Sequence, residues 1–140
     1  AGQYSQTCEI LLLQLRAMTE TDACDMTSEA TGIFTSSFDE LLKTLDGTRT
    51  GGRYTQKDVC DNYLKRIVKQ RPWGECASPY GDTADCCLYS ALLNARHCSD
   101  PKRAAALSNE FISLRFACPA VVSHAVSFGA VIGAILRGKP

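Results

Sequence analysis

Histidine, methionine and tryptophan are scarce in this chain, which holds two, two and one of them among 140 residues. The metalloprotease pattern His-Glu-x-x-His, the nucleophile-elbow pattern Gly-x-Ser-x-Gly and the phosphate-loop pattern are missing. A surplus of either charge sign is missing too, fifteen Lys and Arg standing against fifteen Asp and Glu. That balance disfavours nucleic acid as a partner, because neutralising phosphates needs excess cations on one face. Asn62, Asn94 and Asn109 all lack Ser or Thr two places on, so N-glycosylation has no acceptor. No segment sustains the alternation of a half-buried strand.

Cysteine, by contrast, is abundant. Cys8, Cys24, Cys60, Cys76, Cys86, Cys87, Cys98 and Cys118 are more than the core of a domain this size needs, since such a domain already buries roughly 70% of its unfolded surface. An even number suits complete pairing in an oxidising compartment and predicts a secreted protein. The start at Ala1, without initiator Met or apolar leader, fits a mature chain from which a signal peptide has been removed. Zinc would use Cys-x2-Cys knuckles, whereas the only close pair is the adjacent Cys86-Cys87; no metal or cofactor is expected. Cys86 and Cys87 are expected to reach different helices. Eight cysteines allow about a hundred complete pairings, and spacing does not choose among them. Cys8 and Cys24 enclose 15 residues, as do Cys60 and Cys76, an echo of duplication that nothing else in the two segments matches.

Six segments carry helical periodicity, so the fold predicted is all-α, a disulfide-linked bundle of five or six helices forming a single domain over 1–140. The first, from Cys8 to Ala23, turns Leu11, Leu15 and Met18 inward. The second starts near Thr27 and Ser28, presents Phe34, Phe38, Leu41 and Leu45, and stops at Asp46-Gly47. After the glycine-rich 47–53 loop, Thr55-Gln56-Lys57-Asp58 has the shape of a capping box, and Val59, Tyr63 and Ile67 form the inner face of a third helix ended by Pro72. The fourth runs from Asp82 or Thr83 to His97 with Leu88, Leu92 and Ala95 inward. The fifth has Asp100 as N-cap and Pro101 at its first position, with Ala104, Leu107, Phe111, Leu114 and Cys118 along one side. The sixth begins at Pro119.

No catalytic set emerges, and the chain is read as a protein without enzymatic activity. His97, Cys98 and Asp100 are close in sequence, but neighbours at a helix end do not face one another. His124 is expected to be a satisfied core or interface histidine. Asp85-Cys86-Cys87 invites comparison with secreted phospholipases, whose histidine three residues after the second cysteine is Ser90 here, and no glycine-rich calcium loop is present.

Binding is the alternative to catalysis. Interface hot spots favour Trp, Tyr and Arg, which marks Arg71, Trp73 and Tyr80, next to a basic helical face of Lys65, Arg66 and Lys69; Arg49 and Arg53 in the glycine loop make a second patch. Residues 1–46 carry a net charge of −6 and the remainder +6, a polarity that either steers a charged partner or complements itself within the fold. From Pro119 to Leu136 no residue is charged, and Ala125, Gly129 and Gly133 make a ridge of small side chains. Enclosure of this helix by the other five is the ordinary expectation. The rivals are a pocket wall for an apolar ligand and a membrane-active helix with Arg137 and Lys139 at the interface.

A mature secreted chain of this length with eight cysteines, wholly helical and without a catalytic set, resembles in overall plan the albicin-like complement-inhibitor family of anopheline mosquito salivary proteins, as does the Ala1-Gly2-Gln3-Tyr4 start. The resemblance implies a host plasma protein as partner, the alternative-pathway convertase of complement or a contact-system component, and transfers no binding residue. Odorant-binding proteins, which place two cysteines three residues apart in second and third positions, do not match the separated Cys24 and Cys60.

Overall fold

A computed structural model describes residues 5–20, 28–45, 56–81 and 84–139. Among these residues the protein is an all-α bundle of six helices: α1 (Gln6–Thr19), α2 (Ser28–Lys43), α3 (Lys57–Tyr63), α4 (Asp85–Arg96), α5 (Pro101–Arg115) and α6 (Pro119–Leu136). α3 continues into a π-helical turn over Leu64–Val68, and a single 3-10 turn, Trp73–Glu75, precedes α4. Gln70, at φ 52°, takes the left-handed conformation that turns the chain out of the π-helical segment.

The disulfide linkage expected from the sequence is not there. None of the seven described cysteines is joined in a disulfide, and the nearest sulfurs are 4.3 Å apart, about twice the length of an S–S bond; Cys24 lies outside the described residues. The bundle closes instead through apolar packing, in which Cys76 and Cys86 are buried as small hydrophobic side chains. Cys86 and Cys87 share α4 and do not reach separate helices as bridges.

Side-chain caps explain two of the helix starts. The Ser5 hydroxyl accepts the Cys8 N–H at 3.2 Å and caps α1. The Asp100 carboxylate accepts the Arg103 N–H at 3.1 Å, with Pro101 following at the first turn of α5. Thr55, the first residue of the capping box expected at α3, lies outside the described residues; the N-cap of α3 is Gln56, without a side-chain cap. Asp58 is recruited to the core, where its carboxylate meets Arg115 at 2.6 Å, while Gln56 reaches across to Thr7 and Asp85.

The core is an aromatic stack lined by aliphatic residues. Phe34 stacks on Phe38 with centroids 5.5 Å apart and meets Phe111 edge-on at 4.8 Å. Ile10, Leu42, Val59, Leu93 and Ile112 close around it. α2 follows its expected inner face closely, with Phe34, Phe38 and Leu45 buried. On α1 the inner face is Ile10, Gln14, Ala17 and Met18, and Leu15 is exposed. Gln14 is admitted because its amide donates to the Tyr89 carbonyl at 2.9 Å. On α4 the expected Leu88 and Ala95 face solvent, while Cys86, Tyr89, Ser90, Leu93 and Asn94 are buried. Cys118 belongs to the start of α6, not to the inner side of α5.

The expected Leu92 is partly buried against the core, and hydrogen bonding accounts for the polar residues that α4 buries in place of Leu88 and Ala95. Asn94 donates to the Ser90 carbonyl and to the Ser108 hydroxyl, each at 3.0 Å, making a satisfied polar seam between α4 and α5. α6 lies over this seam on its small-residue face, where Val122, Ala125, Gly129 and Gly133 are its buried positions. A Cβ on Gly129 would collide with the Ser90 hydroxyl and the Asn94 amide, so glycine sets how closely the helices approach. The sixth helix is therefore not enclosed by the other five. It packs on one side and shows the other to solvent.

Candidate functional site

The loop and helix singled out for partner recognition are largely occupied within the fold. Arg66 grips Asp39 of α2 in a two-pronged ion pair, Nε to Oδ1 at 2.9 Å and Nη2 to Oδ2 at 2.7 Å. Its third nitrogen donates to the Arg71 carbonyl at 3.0 Å. The hydrogen bond that Arg66 donates to Asp39 raises its pKa above the ordinary value against the opposing effect of burial. Trp73 donates from Nε1 to the same carboxylate at 3.1 Å and stacks on Phe38 at 5.5 Å, with the Arg66 guanidinium 5.8 Å from its ring centre. Lys65 pairs with Asp61 at 2.8 Å and donates to the Ala77 carbonyl. Arg66, Trp73 and Asp39 thus clamp α2 to the segment after α3.

Three of the expected contact residues stay at the surface: Lys69, Arg71 and Tyr80. Arg71 lies 3.6 Å from Glu75, both side chains being well exposed. Arg49 and Arg53 lie outside the described residues. The His97, Cys98, Asp100 grouping serves the turn between α4 and α5: the His97 N–H closes α4 on Leu93, and Asp100 caps α5. His124, expected to be a core or interface histidine, is exposed on α6 and so is not in the core. Among the described residues no three His, Cys, Asp or Glu side chains converge as a metal site.

The surface that stands out is the outer side of α6. Phe128, Val131, Ile135 and Leu136 are 42%, 56%, 61% and 56% exposed. The first three are spaced three and four residues apart and share one helical stripe. The N-terminal half of the same side is more polar, with Ser123, His124 and Ser127 exposed. Between α5 and α6 an open groove of about 490 Å³ is lined by Asn109, Ser113, Val122, Ser123, Val126 and Ser127 among others. Its mixture of hydroxyls and apolar groups is not the enclosed apolar lining of a lipid carrier.

The C-terminal end of α6 is built into a cationic pole. Arg137 donates from Nη1 to the Cys98 carbonyl at 2.6 Å, which ties the end of α6 to the turn joining α4 and α5. Arg96 closes α4, Lys102 and Arg103 open α5, and Lys139 follows α6. Among the described residues these cations stand at the helix ends that meet at the α4–α5 turn, together with Asp100, and Arg96 and Arg103 have partners of their own. Residue order marked this helix, its ridge at 125, 129 and 133 and Arg137 with Lys139 as a rival membrane-active reading, but enclosure was the ordinary expectation and the bulky residues opposite the ridge were not named as a surface.

No protein-family model, curated protein or solved structure matches the chain.

Proposed function

We propose that this chain is a non-catalytic binding protein that docks through the outer face of α6. The observation that carries the reading is the exposure of Phe128, Val131, Ile135 and Leu136 on an 18-residue helix of which only four residues are buried. Contiguous exposed apolar residues on a folded domain mark an interaction surface. Docking there needs no rearrangement of the bundle, since the opposite side of α6 is already satisfied by Ser90 and Asn94.

A second reading rests on the exposure of Lys69, Arg71 and Tyr80 beside the Trp73 clamp. It assigns recognition of a host plasma protein, such as the complement convertase, to that loop, and with it a secreted setting; both come from the salivary resemblance.

Capture from vertebrate plasma on the immobilised protein separates the two surfaces. Val131→Asp with Ile135→Asp is expected to abolish specific capture, and Lys69→Ala, Arg71→Ala and Tyr80→Ala together to leave it intact. The reverse pattern moves the site to the loop.

A further inference from the structure

We infer that the C-terminal half of α6 and the adjoining cationic pole form a docking surface for an anionic phospholipid bilayer, with α6 lying in the plane of the headgroups. The inference deepens the preceding reading of α6 and rests on it. Apolar and cationic groups are placed where such a surface needs them. Phe128, Val131, Ile135 and Leu136 supply the bulk that would sink to the acyl boundary, and Arg137 and Lys139 follow them at the end of the same helix, with Lys102 at the start of α5 beyond the turn that Arg137 binds. An exposed apolar stripe with cations at its border is the arrangement by which a helix lies on a membrane.

Charge favours a bilayer over a second copy of the chain. α6 has no carboxylate anywhere along its 18 residues, so pairing two copies along this stripe brings no negative charge from α6 to either pole. Anionic headgroups supply it continuously. Geometry favours lying over spanning. Eighteen residues extend about 27 Å, slightly less than the roughly 30 Å hydrocarbon core. Standing across the bilayer would also strip α6 from α4 and expose the Ser90, Asn94 and Ser108 seam to lipid. Docking in the plane leaves that seam in place.

The test is flotation of the full chain with phosphatidylcholine vesicles, with and without phosphatidylglycerol, at low and high salt. The intact protein should float with the phosphatidylglycerol vesicles, and added salt should weaken the binding. Lys102→Gln with Lys139→Gln should weaken it on the order of 25-fold, about fivefold for each cation removed. Val131→Asp with Ile135→Asp should abolish it with the helical circular dichroism unchanged. Absence of binding to anionic vesicles, or binding indifferent to both double variants, overturns the lipid assignment. Release of an entrapped dye overturns the in-plane geometry. The aspartate pair distinguishes this failure from that of the parent reading: if vesicles are ignored but these substitutions abolish plasma capture or a concentration-dependent dimer, α6 still docks and only its lipid partner is refuted. If they change nothing in any assay, both inferences fall.

Discussion

Arg115 is fully enclosed, and its surroundings show how one residue can organise a helical core. Its side chain and that of Asp58 are 1% and 4% exposed and meet at 2.6 Å. The guanidinium carbon lies 5.0 to 5.1 Å from the ring centres of Tyr89, Phe38 and Phe116. Burial pulls the Arg115 pKa down, but Tyr89 and Asp58 together hold it above the ordinary arginine value. Breaking such a pair from one side strands a charge, so Asp58→Asn should cost about 3–5 kcal/mol in urea unfolding. Replacing both partners, Asp58→Leu with Arg115→Met, should recover most of that loss.

Cys86 makes a second prediction at this scale. Burial, with the adjacent Cys87 adding to it, pushes its thiol up to about 12, whereas an unfolded cysteine ionises near ~8.5. The native state therefore keeps a proton that the unfolded chain releases. Its contribution to stability is complete below pH ~8.5 and is lost as pH climbs toward the folded value. Burial also raises the Tyr89 hydroxyl, which adds to the same alkaline decline. Cys86→Ala should flatten the fall in stability measured by denaturant titration between pH ~9 and ~11.

Among the elements, α4 and α6 show where periodicity misleads. Leu88 and Ala95 are more apolar than Ser90 and Asn94, so hydrophobic spacing alone turns the wrong side of α4 inward. The amide and hydroxyls win because they satisfy one another and leave room for a helix that is flat along Gly129 and Gly133. Paired glycine substitutions test this. Gly129→Ala should destabilise by about 1–3 kcal/mol through forced separation of α4 and α6. Gly32→Ala, on an exposed side of α2 with nothing within 4 Å of the new methyl, should stabilise by about 0.5–1 kcal/mol, read as a higher Tm. Equal effects at the two sites would remove the close-packing explanation.

Across the whole molecule, the acidic first third and the basic remainder are joined by the Asp39 clamp, which ties α2 to Arg66 and Trp73. Part of the charge polarity is thereby spent inside the fold. Asp39→Asn should cost about 1 kcal/mol, less at high salt because the pair is partly exposed, and should shift the fluorescence of Trp73 by loosening it from Phe38. An unchanged emission spectrum would mean that aromatic stacking alone seats the ring. Lys139 and Arg137 stand at the other extreme of the chain, where they follow the apolar stripe of α6.

Helix content, the Asp100-Pro101 start of α5, the Pro119 start of α6 and the inner face of α2 were readable from residue order, because caps and helical spacing act between near neighbours in the chain. Cysteine count was a poor guide, since bonding depends on where sulfurs end up in space, and here the nearest stand 4.3 Å apart. The same limit governed Lys65, Arg66 and Trp73, whose partners Asp39, Phe38 and the Ala77 carbonyl are identified only once the helices pack. It governed Asp58 as well, drawn from a helix cap to an arginine 57 positions away. The outward face of α6 was decided last, by which side of that helix the Ser90 and Asn94 seam could accept.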